Sequence, residues 1–396
     1  MTLQTSASPS RFNADHINQT IQRALAAAGL DTSTGPMHDV TETIRRALSS
    51  GALPFDVGAS VQPLELVERV HETTPRLARE PSPRPQPDSL GLPGQFIDGE
   101  FSNHAGTRLY KLYIPAQPAD SPRPMIVMLH GCTQSAEDFA RGTQMNRLAE
   151  ENGFLVLYPE QPGSANMSKC WNWFQTQDQR RDEGEPSIIA GMVAELAQAH
   201  GVDRRRVFVA GLSAGAAMAV ILGESYPDIF AAVGAHSGLP FASAHDIPSA
   251  MAAMKGGRGR AGTQGLTGGN GRERSCKNPV PTIVFHGDRD HTVQDSNGAA
   301  IVRQARDAYA ACANGTELVA SNEQGQLPNG RKFSRTAHAA SEAPAHLESW
   351  TLHGAGHAWS GGDASGSYTD SKGPDASAEM VRFFLFASRR RVGLKN

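Results

Sequence analysis

Val207-Phe208-Val209-Ala210-Gly211-Leu212-Ser213-Ala214-Gly215-Ala216-Ala217-Met218 is the stretch on which the fold turns. Its first four residues are apolar without a break, as in a short strand covered on both faces. Gly211-Leu212-Ser213-Ala214-Gly215 follows, and then a run of small residues that reads as the start of a helix. A G-x-S-x-G pentapeptide between strand and helix has the form of a nucleophile elbow. The turn is so sharp that the residues two before and two after the serine must be nearly free of side chain. It lifts the Ser213 hydroxyl above the sheet edge and aims a helix N-terminus at it, where developing negative charge is stabilised. With 40 glycines in 396 residues the pentapeptide alone is a weak signal. The strand before it and the helix after it give it weight.

Working outward, strands and helices alternate. Strands are expected at residues 94–99 and 108–115, joined by Asn103-His104-Ala105-Gly106, and then at 125–129, 154–158, 207–210, from about 230, at 282–286 and at 347–352. A polar loop and helix are expected over 135 to about 152, and helices over 188–199, 214–226, 297–311 and 376–387. This order predicts an α/β fold, with a mostly parallel central sheet covered by helices on both faces. Sites on such sheets lie at the carboxyl ends of the strands.

Residues 1–92 differ in character. Ile17, Ile21 and Leu25, then Val40, Ile44 and Leu48, recur at helical spacing, and a third helix is conceivable over 64–70. Four prolines in Arg79-Glu80-Pro81-Ser82-Pro83-Arg84-Pro85-Gln86-Pro87 make a stiff linker. The expected organisation is a helical N-terminal extension and linker over 1–92 and a catalytic domain over 93–396. The extension is read as a helical appendage packed on the main domain, as an adhesive segment for a partner or an apolar surface, or as disordered chain.

Composition narrows the partners. A net charge of −3 gives no long-range field for nucleic acid, and the glycine- and arginine-rich segment 255–274 lacks the aromatic residues of a nucleic-acid tail. No apolar run approaches the 18 residues of a membrane span. Residues 1–30 lack the apolar core of a signal peptide, which favours a cytoplasmic location and leaves secretion open. The four cysteines, Cys132, Cys170, Cys276 and Cys312, contain no C-x-x-C pair, so neither a zinc knuckle nor a redox motif is expected.

A serine hydroxyl becomes a nucleophile when a base takes its proton and a carboxylate orients that base. After the strand at 282–286, Gly287-Asp288-Arg289-Asp290-His291 supplies two candidate acids. After the strand at 347–352, His353-Gly354-Ala355-Gly356-His357 supplies two histidines. Gly354 and Gly356 allow a loop tight enough to bring His357 over the elbow, whereas His353 still belongs to the strand end. An oxyanion hole needs two backbone N–H groups, one from the residue after the nucleophile and one from an earlier loop. Ala214 supplies the first, and the loop Leu129-His130-Gly131-Cys132 offers the Cys132 amide as the second. Three of the four tryptophans, Trp171, Trp173 and Trp359, lie in motif loops at the same end of the strands and are expected to line an apolar, substrate-binding cleft. No metal and no cofactor is called for. A two-zinc hydrolase reading of His286-Gly287-Asp288-Arg289-Asp290-His291 would leave the elbow unexplained.

His130-Gly131-Cys132-Thr133-Gln134, Cys170-Trp171-Asn172-Trp173-Phe174, Gly211 to Gly215, His286 to Asp290 and Gly356-His357-Ala358-Trp359-Ser360-Gly361-Gly362 together resemble the polyhydroxybutyrate depolymerase family of esterases, which also includes feruloyl and acetylxylan esterases. The resemblance runs from about residue 94 to 384. It implies an α/β-hydrolase fold and a serine esterase with Ser213 as nucleophile, Asp290 rather than Asp288 as acid, and His357 as base. It also places Cys132 in the oxyanion hole and sets Cys132 and Cys170 close enough to form a disulfide. A polyester of the poly(3-hydroxybutyrate) type or its oligomers is the expected substrate, with plant cell-wall esters as the alternative. The amphipathic extension is then the candidate contact with the polymer surface.

Overall fold

The computed structural model describes residues 86–87, 91–257, 279–313, 316–341 and 343–393. The helical periodicities expected before residue 86 and most of the glycine- and arginine-rich segment lie outside them. The chain divides into units Met1–Glu80 and Pro81–Asn396, a split that falls inside the proline-rich run.

Strands β1 (Gln86–Pro87), β2 (Gln95–Asn103), β3 (Gly106–Ile114), β4 (Arg123–Leu129), β5 (Leu155–Pro159), β6 (Val202–Leu212), β7 (Ala232–His236), β8 (Thr282–Gly287), β9 (Val319–Gln326), β10 (Lys332–Ala339) and β11 (Leu347–Leu352) form one eleven-stranded sheet. Its order is β1-β2-β3-β5-β4-β6-β7-β8-β11-β10-β9. The six strands from β5 to β11 in that order are parallel, as expected for the centre. The flanks are antiparallel, with β1, β2 and β3 on one side and the β9–β10 hairpin on the other. The sheet is therefore mixed and not mostly parallel.

The central strands alternate their apolar side chains between two cores. Met125, Val127 and Leu129 of β4 and Val207 and Val209 of β6 point to one face. Ile126, Met128, Phe208, Ala210 and Leu212 point to the other. Such strands carry no polar face because helices cover both sides. Helices α3 (Gly184–Ala199), α4 (Ala214–Ser225) and α6 (Ser296–Cys312) contribute to the first core, with α5 (Ile247–Met254) at its margin. Helices α1 (Ala136–Thr143), α2 (Met145–Asn152) and α7 (Ala376–Gly393) contribute to the second. The stretch 135–152, expected as a polar loop and a helix, holds two helices, separated where Gln144 is left-handed at φ 55°. Among the described residues no helix is long and apolar enough to cross a membrane.

Candidate active site

Strand β6 ends at Leu212 and α4 begins at Ala214, which leaves Ser213 alone on the turn at φ 58° and ψ −119°. A non-glycine residue in the left-handed half of the map is a strained position that its surroundings must enforce. A Cβ at Gly215 would collide with the carbonyl oxygens of Leu129 and His130, and one at Gly211 would collide with the Gly215 backbone. Both glycines are thus required by close backbone approach. That same approach lays the His130 loop against the elbow. The Ser213 N–H donates to the His236 carbonyl at the end of β7 (2.9 Å), which ties the turn to the neighbouring strand.

The two acids expected after β8 separate cleanly. His357 Nδ1–H donates to Asp290 Oδ2 at 2.7 Å, and Asp290 is buried at 2% exposure. The other oxygen of Asp290 accepts the N–H groups of Thr292 and Val293 at 3.0 and 2.9 Å. Burial pushes the Asp290 carboxyl up, but the His357 hydrogen bond and charge, the Val293 N–H and His286 outweigh it and hold it below the usual carboxylate range. Asp288 faces His353 instead, accepting its Nδ1–H at 2.9 Å and the Gly354 N–H at 2.6 Å. His353 Nε2 in turn meets Ser334 Oγ at 2.9 Å. That arrangement is more exposed, and Ser334 lies inside strand β10 rather than on a turn.

Ser213 and His357 are not hydrogen-bonded to each other. Among the described residues Ser213 Oγ and His357 Nε2 have no hydrogen-bond partner, and contacts of this kind often tighten only around a substrate. The N–H groups of Cys132 and Ala214 likewise donate to no described residue. Cys132 and Cys170 form a disulfide, with Cα atoms 4.2 Å apart.

The three tryptophans are not in an open cleft. Trp171, Trp173 and Trp359 are 0%, 6% and 1% exposed, and each belongs to a core cluster. Trp171 Nε1–H donates to the His130 carbonyl (3.2 Å), and Trp359 Nε1–H donates to Ser377 Oγ on α7 (3.0 Å). Their rings fill core volume, and the N–H groups of Trp171 and Trp359 tie down the loops that carry them. The expectation that they bind substrate is corrected accordingly, because a ring with no exposed face has nothing to offer a ligand.

His236 went unread in the sequence. It is fully buried, stacks between Phe285 and Trp359, and accepts the Ser360 N–H at Nε2 (3.0 Å). Burial, reinforced by the nearby His286 and His357, pushes it down to about 3. One residue thus grips the elbow through its carbonyl and the loop after His357 through its ring. A histidine in the apolar run Ala232-Val233-Gly234-Ala235-His236 was the available signal.

A strand–turn–helix serine and a histidine bonded to a buried aspartate, carried on loops after the parallel central strands of one mixed sheet, are features of the α/β-hydrolase class. The comparisons give the family. The model described as Esterase PHB depolymerase matches residues 108–315, and the chain belongs to that family. Poly(3-hydroxyalkanoate) depolymerase C of Paucimonas lemoignei is 33% identical over 204 residues, covering 51% of this chain and 49% of that protein. Feruloyl esterase B of Thermothelomyces thermophilus is 35% identical over 152 residues, covering 38% and 51%. The chain spans about half the length of these curated relatives. Among solved structures, an acetyl xylan esterase from Aspergillus awamori shares the α/β fold at TM-score 0.53 and 19% identity, over 73% of this chain and 99% of that one.

Proposed function

We propose that the protein is a serine esterase of the α/β-hydrolase fold that cleaves carboxylic esters through an acyl-enzyme on Ser213. The observation that carries this reading is the hydrogen bond from His357 to the buried Asp290, on the same sheet as a serine held on a strained elbow. His357 Nε2 takes the Ser213 proton as Oγ attacks the ester carbonyl. The oxyanion that forms accepts from the Ala214 and Cys132 N–H groups, aided by the N-terminus of α4. The tetrahedral intermediate collapses, and His357 returns the proton to the departing alkoxide. Water then attacks the acyl-serine with His357 as base, releasing the acid and restoring Ser213.

The substrate we propose is a poly(3-hydroxybutyrate)-type polyester or its oligomers. The resemblance to a relative named as a poly(3-hydroxyalkanoate) depolymerase supports it. A second reading, an esterase of plant cell-wall feruloyl or acetyl groups, is supported by relatives named for those activities. Release of soluble hydroxybutyrate from polymer, measured beside feruloyl and acetyl esters, separates the two. Ser213→Ala should abolish whichever activity is found, and a fluorophosphonate should label Ser213. Failure to label it would end the serine-esterase reading. In this proposal the N-terminal extension, residues 1–92, contributes contact with the polymer surface.

A further inference from the structure

Within the loop after β4, three successive peptide groups are held in different ways. The peptide from His130 to Gly131 is fixed at both ends, its carbonyl by Trp171 Nε1–H (3.2 Å) and its N–H by Gln134 Oε1 (2.9 Å). The peptide from Cys132 to Thr133 is also fixed at both ends, by Thr133 Oγ1–H on its carbonyl (2.6 Å) and by the Ser168 carbonyl on its N–H (2.7 Å). The peptide between them, Gly131 to Cys132, is held at its carbonyl alone. There His130 Nδ1–H donates to the Gly131 oxygen at 2.7 Å, with the Gln134 N–H as a longer second donor at 3.4 Å.

A peptide group is planar and trans, so fixing its carbonyl in one direction turns its N–H in the opposite one. We propose that His130 is the positioning residue of the oxyanion hole: its ring grips the Gly131 carbonyl and thereby turns the Cys132 N–H into the site. The inference rests on the reading of that N–H as an oxyanion donor. It assigns His130 a role through another group and no contact with substrate.

The ring is itself fixed as one tautomer. The Gln161 N–H donates to His130 Nε2 (3.1 Å), so Nε2 is the acceptor and the proton sits on Nδ1, where the Gly131 carbonyl needs it. Burial lowers the basicity of the ring, and a second proton would set Nε2–H against the Gln161 N–H. Gln161 is anchored in turn. Its side chain donates to the Cys170 carbonyl (2.9 Å) and to Glu185 Oε1 (2.5 Å), and it accepts from Arg108 Nε (2.8 Å). Glu185, buried at the start of α3, also receives Arg108 Nη2 and both the backbone and side-chain nitrogens of Asn172. A buried polar cluster in which every donor meets an acceptor is rigid. This one runs from α3 to the peptide that carries the oxyanion donor, and His130 is its last link.

Two substitutions separate positioning from packing. An asparagine amide nitrogen falls close to the place of Nδ1, and a glutamine amide nitrogen close to the place of Nε2. With a soluble p-nitrophenyl ester, His130→Gln should lower kcat by about 10²-fold, the scale of losing one oxyanion donor. KM should stay within about threefold. His130→Asn, which keeps a donor to the Gly131 carbonyl, should lose less than about tenfold. Full kcat in His130→Gln, or equal losses in both variants, would overturn the proposal. Stoichiometric fluorophosphonate labelling of Ser213 in the unsubstituted enzyme tests the underlying esterase reading separately. Should His130→Gln fail to fold, ¹⁵N-histidine spectra of the unsubstituted protein decide instead. The proposal requires a neutral, Nδ1-protonated His130 at pH 7, and an Nε2-protonated or charged ring overturns it.

Discussion

His236 is neutral in the folded chain down to about pH 3, whereas a histidine in the unfolded chain takes up its proton near pH 6.5. Between those values the unfolded state binds the extra proton, so stability falls as pH falls through that window. The span corresponds to as much as about 5 kcal/mol. His236→Gln keeps an acceptor for the Ser360 N–H and has nothing to titrate. Thermal midpoints measured from pH 7 to pH 4 should fall less steeply in that variant than in the parent. Equal slopes would mean that His236 is not the group responsible. Asp290 and Asp288 give a second contrast at the same scale. Asp290→Asn leaves His357 without its buried acceptor and should cost kcat several orders of magnitude, against about 10⁶ for Ser213→Ala. Asp288→Asn touches only His353 and the Gly354 N–H and should leave kcat within about threefold, so a larger loss there would give the acid's role to the wrong residue. The elbow turn, the His357–Asp290 pair and the position of the HG loop were legible because the proposed chemistry demands particular residue types at strand ends. His236 was not, because its role depends on what surrounds it, and the tryptophans misled because aromatic bulk fits a core as well as a cleft.

Among the elements, β11 carries the most telling polar group. Glu348 is almost fully buried and accepts from Arg335 on β10 and from Arg382 on α7, so one carboxylate joins the edge hairpin to a covering helix. Burial pushes its carboxyl up, but the two arginines outweigh this and hold it below the usual range. Its stabilisation is present above the ordinary glutamate value and is lost as pH drops through the lowered one. Removing one partner of such a cluster costs about 3 kcal/mol. Glu348→Gln should therefore lower the denaturation midpoint markedly at pH 7, and the difference should shrink as pH falls below the ordinary glutamate range. The hairpin it secures was invisible in the sequence. Val319-Ala320-Ser321-Asn322-Glu323-Gln324-Gly325-Gln326 has no apolar alternation, because β9 is an outer edge strand exposed along nearly its whole length. Polar side chains on such an edge discourage pairing with other sheets. Helix α5 was also missed, although Asp246 and Ser249 form a capping box and Pro248 stands at its start.

Over the whole molecule, every proposed catalytic group lies in the unit that starts at Pro81. Strand β1 follows that point and pairs with β2, with Gln86 opposite Phe96, so a cut after residue 92 would strip an edge strand. Deleting residues 1–80 should therefore spare hydrolysis of a short soluble ester while weakening adsorption to polymer particles and their turnover. Parallel loss of both activities would show that the segment is structural, and the adhesion idea would be dropped.

The Cys132–Cys170 bridge bears on how the protein is handled at the bench. It closes a span of 38 residues, which the chain-entropy account values at roughly 4 kcal/mol, and one of its ends is the residue whose N–H is proposed to serve the oxyanion. Dithiothreitol in a lysis buffer, or production in a host compartment kept reducing, would yield a mixture of bridged and open molecules that a denaturing gel run with reductant cannot tell apart. Batches prepared with and without thiols should then differ in specific activity though identical in sequence and purity. Because Cys312 is disulfide-bonded as well, mapping which cysteines take up a thiol label before each assay would reveal which form was measured.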